Sequence, residues 1–142
     1  MSKQILCLDF DGVCNTYASG WRGEAEIPDP PVPWLFEFLS EASQVFDIVI
    51  HSSRAAWSEG LDAMVGWFMD WSPFPSAIPP MSVKGKIMFF FPEGRCATIV
   101  ITAIKPPAFV TLDGRAVTFI GTWPSVEELK GFKPWHVLKK LE

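Results

Sequence analysis

The chain lacks the features that mark several common protein classes. Cysteine is scarce. Cys7, Cys14 and Cys96 are odd in number and form no Cys-x-x-Cys, which argues against a disulfide framework and for reduced thiols in a cytoplasmic protein. No apolar run approaches the ~20 residues of a membrane-spanning helix, so no membrane partner is expected. Lys3 and Gln4 precede a short apolar run that ends in acids, which is not a signal-peptide pattern. Basic residues form no stripe, and the net charge is −4, so the electrostatic footprint of a duplex nucleic-acid binder is missing. There is no internal repeat and no low-complexity segment, and nothing marks a second domain. Charged residues make up only 20% of the chain, which argues against disorder.

What is abundant is apolar and aromatic surface. Hydrophobic residues are 49% of 142, enough for one packed domain spanning residues 1–142. Seven Trp and twelve Phe accompany a single Tyr. Such residues fill cores, and Trp also lines pockets and interfaces.

The most informative stretch is Asp9-Phe10-Asp11-Gly12-Val13, directly after the apolar run Ile5-Leu6-Cys7-Leu8. Residues 3–8 read as a strand buried on both faces, as in a parallel sheet. Two carboxylates then stand at its carboxyl end, where open α/β sheets bind ligands. Residues 14–32, with Gly20, Gly23, Pro28, Pro30 and Pro31, read as an irregular flap. Its Tyr17, Trp21 and Arg22 either face a ligand or pin the loop down. Cys14 is either a reactive thiol beside the acids or a bystander.

Pro33 suits the start of a helix, with Trp34, Leu35, Phe38, Leu39 and Ala42 on its apolar face and an end near Gln44. Residues 46–50 read as the second strand, in parallel crossover with the first. It leads into His51-Ser52-Ser53-Arg54. Hydroxyls and a guanidinium there suit phosphate, although Ser52 or Ser53 also suits a helix cap. Residues 55–71 read as a helix with a buried stripe of Leu61, Met64, Val65, Phe68 and Trp71. Residues 72–82 are proline-rich and read as irregular, and residues 84–103 read as a β-hairpin with a turn at Gly94. Phe89 to Phe91 within it would form a self-association edge if left uncovered.

Lys105 stands before Pro106-Pro107, by default as a solvated loop charge. A short strand over 109–112 then ends in Asp113-Gly114-Arg115, repeating the opening design. Residues 117–120 are expected to form another short strand. Ser125 to Glu128 is a capping box for a short helix, and residues 135–142 form an amphipathic tail with Lys139 and Lys140 on its solvated face. The expected fold class is α/β, a three-layer sandwich with a mostly parallel sheet, the first strand near its centre and the hairpin as an insertion.

Three strand ends thus carry Asp9 and Asp11, Ser52 with Arg54, and Asp113 with Arg115, a lysine precedes the last of them, and in a parallel sheet all three ends share one edge. Clustered carboxylates repel unless a cation lies between them, and hard oxygen donors favour Mg²⁺. In order and setting, Asp9-Phe10-Asp11-Gly12-Val13, Ser52, Lys105 and Asp113 resemble the four motifs of the haloacid dehalogenase superfamily of phosphohydrolases, over residues 5–115. Ser52-Ser53-Arg54 and Asp113-Gly114-Arg115 are also similar to the phosphatase domain of phage polynucleotide kinase/phosphatase and its small relatives. The resemblance implies a Rossmann-like fold and a Mg²⁺-dependent phosphomonoester hydrolase with a minimal cap. Asp9 would be the nucleophile, forming an aspartyl-phosphate, and Asp11 the general acid/base. Mg²⁺ would be held by Asp9, the Asp11 backbone carbonyl and Asp113, and the phosphoryl oxygens by Ser52 and Lys105. Arg54 is the arginine expected to touch substrate.

An open site suits a small phosphorylated substrate, a nucleotide or a nucleic-acid end. The chain departs from the pattern at Gly114, where a second acid is usual. Losing that outer contact should weaken Mg²⁺ binding by on the order of tenfold. The alternative is a degenerate member that binds phosphate or a partner without efficient turnover.

Overall fold

A computed structural model describes residues 3–81 and 83–137. The expected solvated face at Lys139 and Lys140 lies outside the described residues. Six strands form one sheet: β1 (Gln4–Asp9), β2 (Phe46–His51), β3 (Ser76–Ala77), β4 (Lys86–Phe90), β5 (Cys96–Thr102) and β6 (Val110–Leu112). Their spatial order is β3-β4-β5-β2-β1-β6. β6, β1, β2 and β5 run parallel, while β4 and β3 are antiparallel additions. The helices are α1 (Leu35–Ala42), α2 (Ser58–Trp71) and the short α3 (Val126–Lys130). The chain is therefore a mixed α/β protein with a six-stranded sheet. β1 is not at the centre of the sheet but next to its edge, because β6 has only three residues and nothing pairs beyond it among the described residues.

Alternation along the strands builds the core. Leu6, Leu8, Ile48, Ile50, Ile87, Phe89, Ile99 and Ile101 point to one face and join Leu35, Phe36 and Leu39 of α1 and Met64, Trp67 and Phe68 of α2 in a single cluster. The Phe36 ring lies 6.4 Å from Phe68 and 6.1 Å from Phe89, so α1 and α2 pack on the same side of the sheet. Of the expected three-layer sandwich, the sheet and one helical layer are present among the described residues. The two longer helices form one layer, and Ile5, Met88, Val49 and Val100 on the opposite face stay partly exposed.

Other departures have local causes. Trp34 takes a left-handed conformation (φ 74°), so α1 starts at Leu35 rather than at Pro33. A 3₁₀ turn at Ser53–Ala56 precedes α2, whose axis presents Trp67 to the core and leaves Trp71 exposed. The proline-rich segment still contributes β3, and the Phe90 N–H donates to the Pro75 carbonyl at 2.8 Å. β3 therefore covers the edge at Phe89, and Phe89 and Phe91 are buried. The hairpin forms as expected, with Gly94 at φ 71° in its turn. Residues 117–120 form no strand. Val117, Phe119 and Ile120 are exposed and pair with nothing in the sheet.

Phe68 is fully buried and meets Phe10, Phe36 and Trp67 ring to ring. Phe68→Ala should cost about 3–5 kcal/mol of unfolding free energy, because the cavity cannot close among rigid rings. Urea denaturation measures this, and a loss under about 1 kcal/mol would contradict the packing.

Candidate functional site

The parallel strands bring their carboxyl ends to one edge. Asp9 pairs with His51 and His51 with Thr102, so the three side chains stand in one row on the face away from the helices. Leu112 pairs with Leu8, which brings Asp113, the next residue, level with Asp9. The Asp9 carboxyl is half-buried and pushed up to about 6. Burial is the largest cause, followed by the Asp113 charge, with Asp11 adding to it. The Phe10 N–H and His51 oppose it. Asp9, Asp11, Asp113 and His51 are thus close enough to act on one another.

Asp11 begins the turn beyond β1. Its carboxylate accepts from Arg54 Nε at 3.2 and 2.9 Å, and from Asn15 Nδ2 at 3.0 Å. Arg54 is 1% exposed, the largest of the fully buried side chains. Its Nη1 donates to the carbonyls of Gly23, Glu24 and Glu26 at 2.8, 3.0 and 3.2 Å, and the Trp21 ring lies 4.6 Å from its Cζ. The arginine expected to touch substrate is therefore occupied as a clamp between Asp11 and the flap.

The flap is further tied down. Ser19 Oγ donates to Asp29 at 2.6 Å, Trp67 Nε1 donates to the Asp29 carbonyl at 2.9 Å, and Val32 N–H donates to the Cys14 carbonyl at 2.8 Å. Of the flap residues expected near a ligand, Trp21 covers Arg54, while Tyr17 lies beside His136 and Arg115.

Ser52 is buried at the end of β2. Its Oγ accepts from the Arg54 N–H at 3.1 Å, which caps the 3₁₀ turn. The hydroxyl proton remains able to donate, so capping and phosphate binding are compatible. Lys105 is exposed just beyond β5. Its charge and those of Asp9 and Asp113 are all felt at Cys7, one step inward from Asp9 on the same face. Asp113 is exposed and its Oδ1 accepts from the Arg115 N–H at 2.8 Å. Cys14 is fully buried, its Sγ donates to the Asp9 carbonyl at 3.4 Å, and burial pushes its thiol well up, so it is a structural bystander.

Two site residues were not singled out from the sequence. His51 carried a signal, since it directly follows the second strand. Asn15, 1% exposed, orients Asp11 and receives the Tyr17 N–H at 2.8 Å, and its role is invisible without the turn.

Among the described residues no group of three or more His, Cys, Asp or Glu side chains is arranged to hold a metal. Mg²⁺ keeps several waters and commonly takes only one or two carboxylates. Asp9 and Asp113 repel each other, and the Asp11 side chain is committed to Arg54, which leaves its carbonyl as the available donor group. Gly114 has a steric reason. A Cβ there would lie 3.1 Å from the Gly12 carbonyl oxygen and 3.1 Å from Trp135 Nε1.

Compared with known proteins, the chain matches no family model, and no curated protein or solved structure gives a significant match.

Two outcomes test this geometry. Because folding raises the Asp9 carboxyl to about 6, the folded state binds more protons than the unfolded one between about pH 4 and 6. Stability from this group is full below pH 4 and is lost as pH rises through 6. Metal-free Asp9→Asn should therefore exceed the wild type at pH 7.5 by roughly 1–2 kcal/mol after allowance for solvent screening, and the gap should close below pH 4. Thermal denaturation across pH reads both. Arg54→Ala should cost about 3–5 kcal/mol by leaving Asp11 unpaired, and Arg54→Lys most of that, since an ammonium cannot reach the carboxylate and three carbonyls together. Urea denaturation of both variants checks it.

Proposed function

We propose that the chain is a phosphomonoester hydrolase whose nucleophile is Asp9 and whose general acid/base is Asp11. The observation that carries this reading is the paired placement of the two acids. Asp9 stands at the end of a parallel strand beside Asp113, and Asp11 is held two residues on by the buried Arg54. This reading accords with the resemblance to the haloacid dehalogenase superfamily and with a Rossmann-like core.

In the proposed reaction an Asp9 carboxylate oxygen attacks phosphorus and the ester oxygen leaves, taking a proton from Asp11. Water, deprotonated by Asp11, then attacks the aspartyl-phosphate and frees Asp9 and inorganic phosphate. Two easier displacements replace one hard one. Asp11 needs a fixed position for both proton transfers, and the Arg54 and Asn15 bonds provide it. Lys105 and the Ser52 hydroxyl would hold the phosphoryl oxygens, and the flap carbonyls would keep Arg54 away from them. Asp9, Asp113 and the Asp11 carbonyl would hold Mg²⁺, which when bound supplies charge neutralisation at the phosphoryl group. Substrates in this reading are small phosphomonoesters, nucleotides or nucleic-acid ends, reached through an edge with no large lid.

A second reading, phosphate or partner binding without turnover, is favoured by Gly114. A Cβ there would meet the Gly12 carbonyl oxygen and the Trp135 indole at 3.1 Å, so a second carboxylate enters only if the indole gives way.

Hydrolysis of an aryl phosphate separates the two. Mg²⁺-dependent turnover is expected, abolished in Asp9→Asn. Asp11→Asn should lose about 10²–10⁴-fold on an alkyl phosphate, and less on an aryl phosphate whose leaving group needs no proton. A folded protein that shows no turnover at high Mg²⁺ but binds phosphate would establish the second reading.

A further inference from the structure

The segment after α3 returns across the whole chain to the first motif. Trp135 Nε1 donates to the Gly12 carbonyl at 2.6 Å, a contact spanning 123 positions. The next residue, His136, meets the Tyr17 ring edge-on at 5.7 Å, and its Nδ1 would lie 3.4 Å from a Cβ placed on Gly12. Arg115 Cζ stands 5.5 Å from the Tyr17 ring. The indole also rests on Gly114, where a Cβ would press on Nε1 at 3.1 Å and on Cδ1 at 3.2 Å. Gly114 does not have a positive φ, so nothing in its backbone calls for glycine. The missing side chain is explained by what lies over it.

We infer that Trp135 is a positioning residue of the Asp9–Asp11 site. It acts through the Gly12 carbonyl, and Gly114 is its seat. The Asp11 carboxylate is fixed by Arg54 and Asn15, and the Gly12 N–H donates to the Asn15 carbonyl at 3.0 Å. Gly12 itself has φ 83°, and its carbonyl accepts from the indole. A strong hydrogen bond there holds the backbone from which the Asp11 carbonyl and carboxylate both project. The carboxyl-terminal segment thus contributes to the site in place of the second acid at position 114. It presents Trp135 to Gly12 and His136 to Tyr17 of the flap, which Arg115 also approaches. The kinetic consequence rests on the hydrolase reading; the structural one does not.

Trp135→Phe keeps an aromatic ring while removing the N–H and the pyrrole part of the indole, and the residue is 38% exposed, so the fold is expected to survive with a melting temperature close to wild type. In amide NMR spectra of the metal-free protein, Trp135→Phe should move the signals of Asp11, Gly12 and Val13. Changes confined to residues 132–137 would overturn the inference whether or not the protein is an enzyme. In aryl phosphate hydrolysis, kcat should fall about tenfold with KM within about twofold, as expected for a misplaced reacting group rather than lost binding. An unchanged kcat, in a protein whose turnover is abolished by Asp9→Asn, would overturn the positioning role and leave the hydrolase reading standing. Gly114→Ala should also move the Asp11, Gly12 and Val13 signals, since its Cβ would press on both the indole and the Gly12 carbonyl oxygen at 3.1 Å; unmoved signals would show that Gly114 is not the seat of Trp135.

Discussion

A single buried guanidinium organises this molecule. Arg54 is almost wholly removed from water, and such a charge is tolerated only where its donors are matched. Here one edge meets the Asp11 carboxylate and one nitrogen meets three flap carbonyls. The flap, the first turn and the start of α2 are therefore one unit. Gly60 belongs to it as well, since any Cβ there would collide with the Arg54 carbonyl. Removing the arginine would leave a carboxylate and three carbonyls short of partners at once.

Around that clamp the sheet works by asymmetry. The helices cover one face, and the aromatic cluster of Phe10, Phe36, Trp67, Phe68 and Phe89 makes that face rigid. The other face is thinly covered and carries the polar row Asp9, His51 and Thr102, with Asp113 level with it. Asp9 is half-buried among like charges, an arrangement that weakens the metal-free fold and favours any cation that enters. The apolar core lies on the helical side and the candidate site on the other. A perturbed carboxyl in this setting is a candidate functional group on physical grounds.

Much of this was legible in the chain. Period-two alternation and short apolar runs located β1, β2, β4, β5 and β6 to within a residue or two, because burial on a pleated strand leaves that imprint. Asp9, Asp11, Ser52 and Asp113 were each placed at a strand end, with Lys105 before the last of these strands, and the parallel sheet does bring those ends to one edge. The roles of side chains that act across long separations were not legible. Arg54 looked like a phosphate ligand because its neighbours Ser52 and Ser53 suit one. Its actual partners lie about thirty to forty-three residues upstream, in a flap with no periodicity. Gly114 looked like a lost acid because Trp135, which fills the space, is twenty-one positions away and has no pattern linking it to the turn.

The sequence by itself determined five of the six strands, the two principal helices and the order of the acids along the chain, since each depends on contacts within a few residues or on simple burial. Tertiary structure alone decided that both helices share one face, that β1 lies beside the sheet edge, that the proline-rich segment shields Phe89, and that Arg54 serves Asp11 rather than a ligand. Those outcomes turn on which surfaces meet after the chain has closed long loops. Apolar residues on α1 and α2 state that a face is buried but not against which side of the sheet. A buried arginine needs several acceptors, and only the folded flap supplies them.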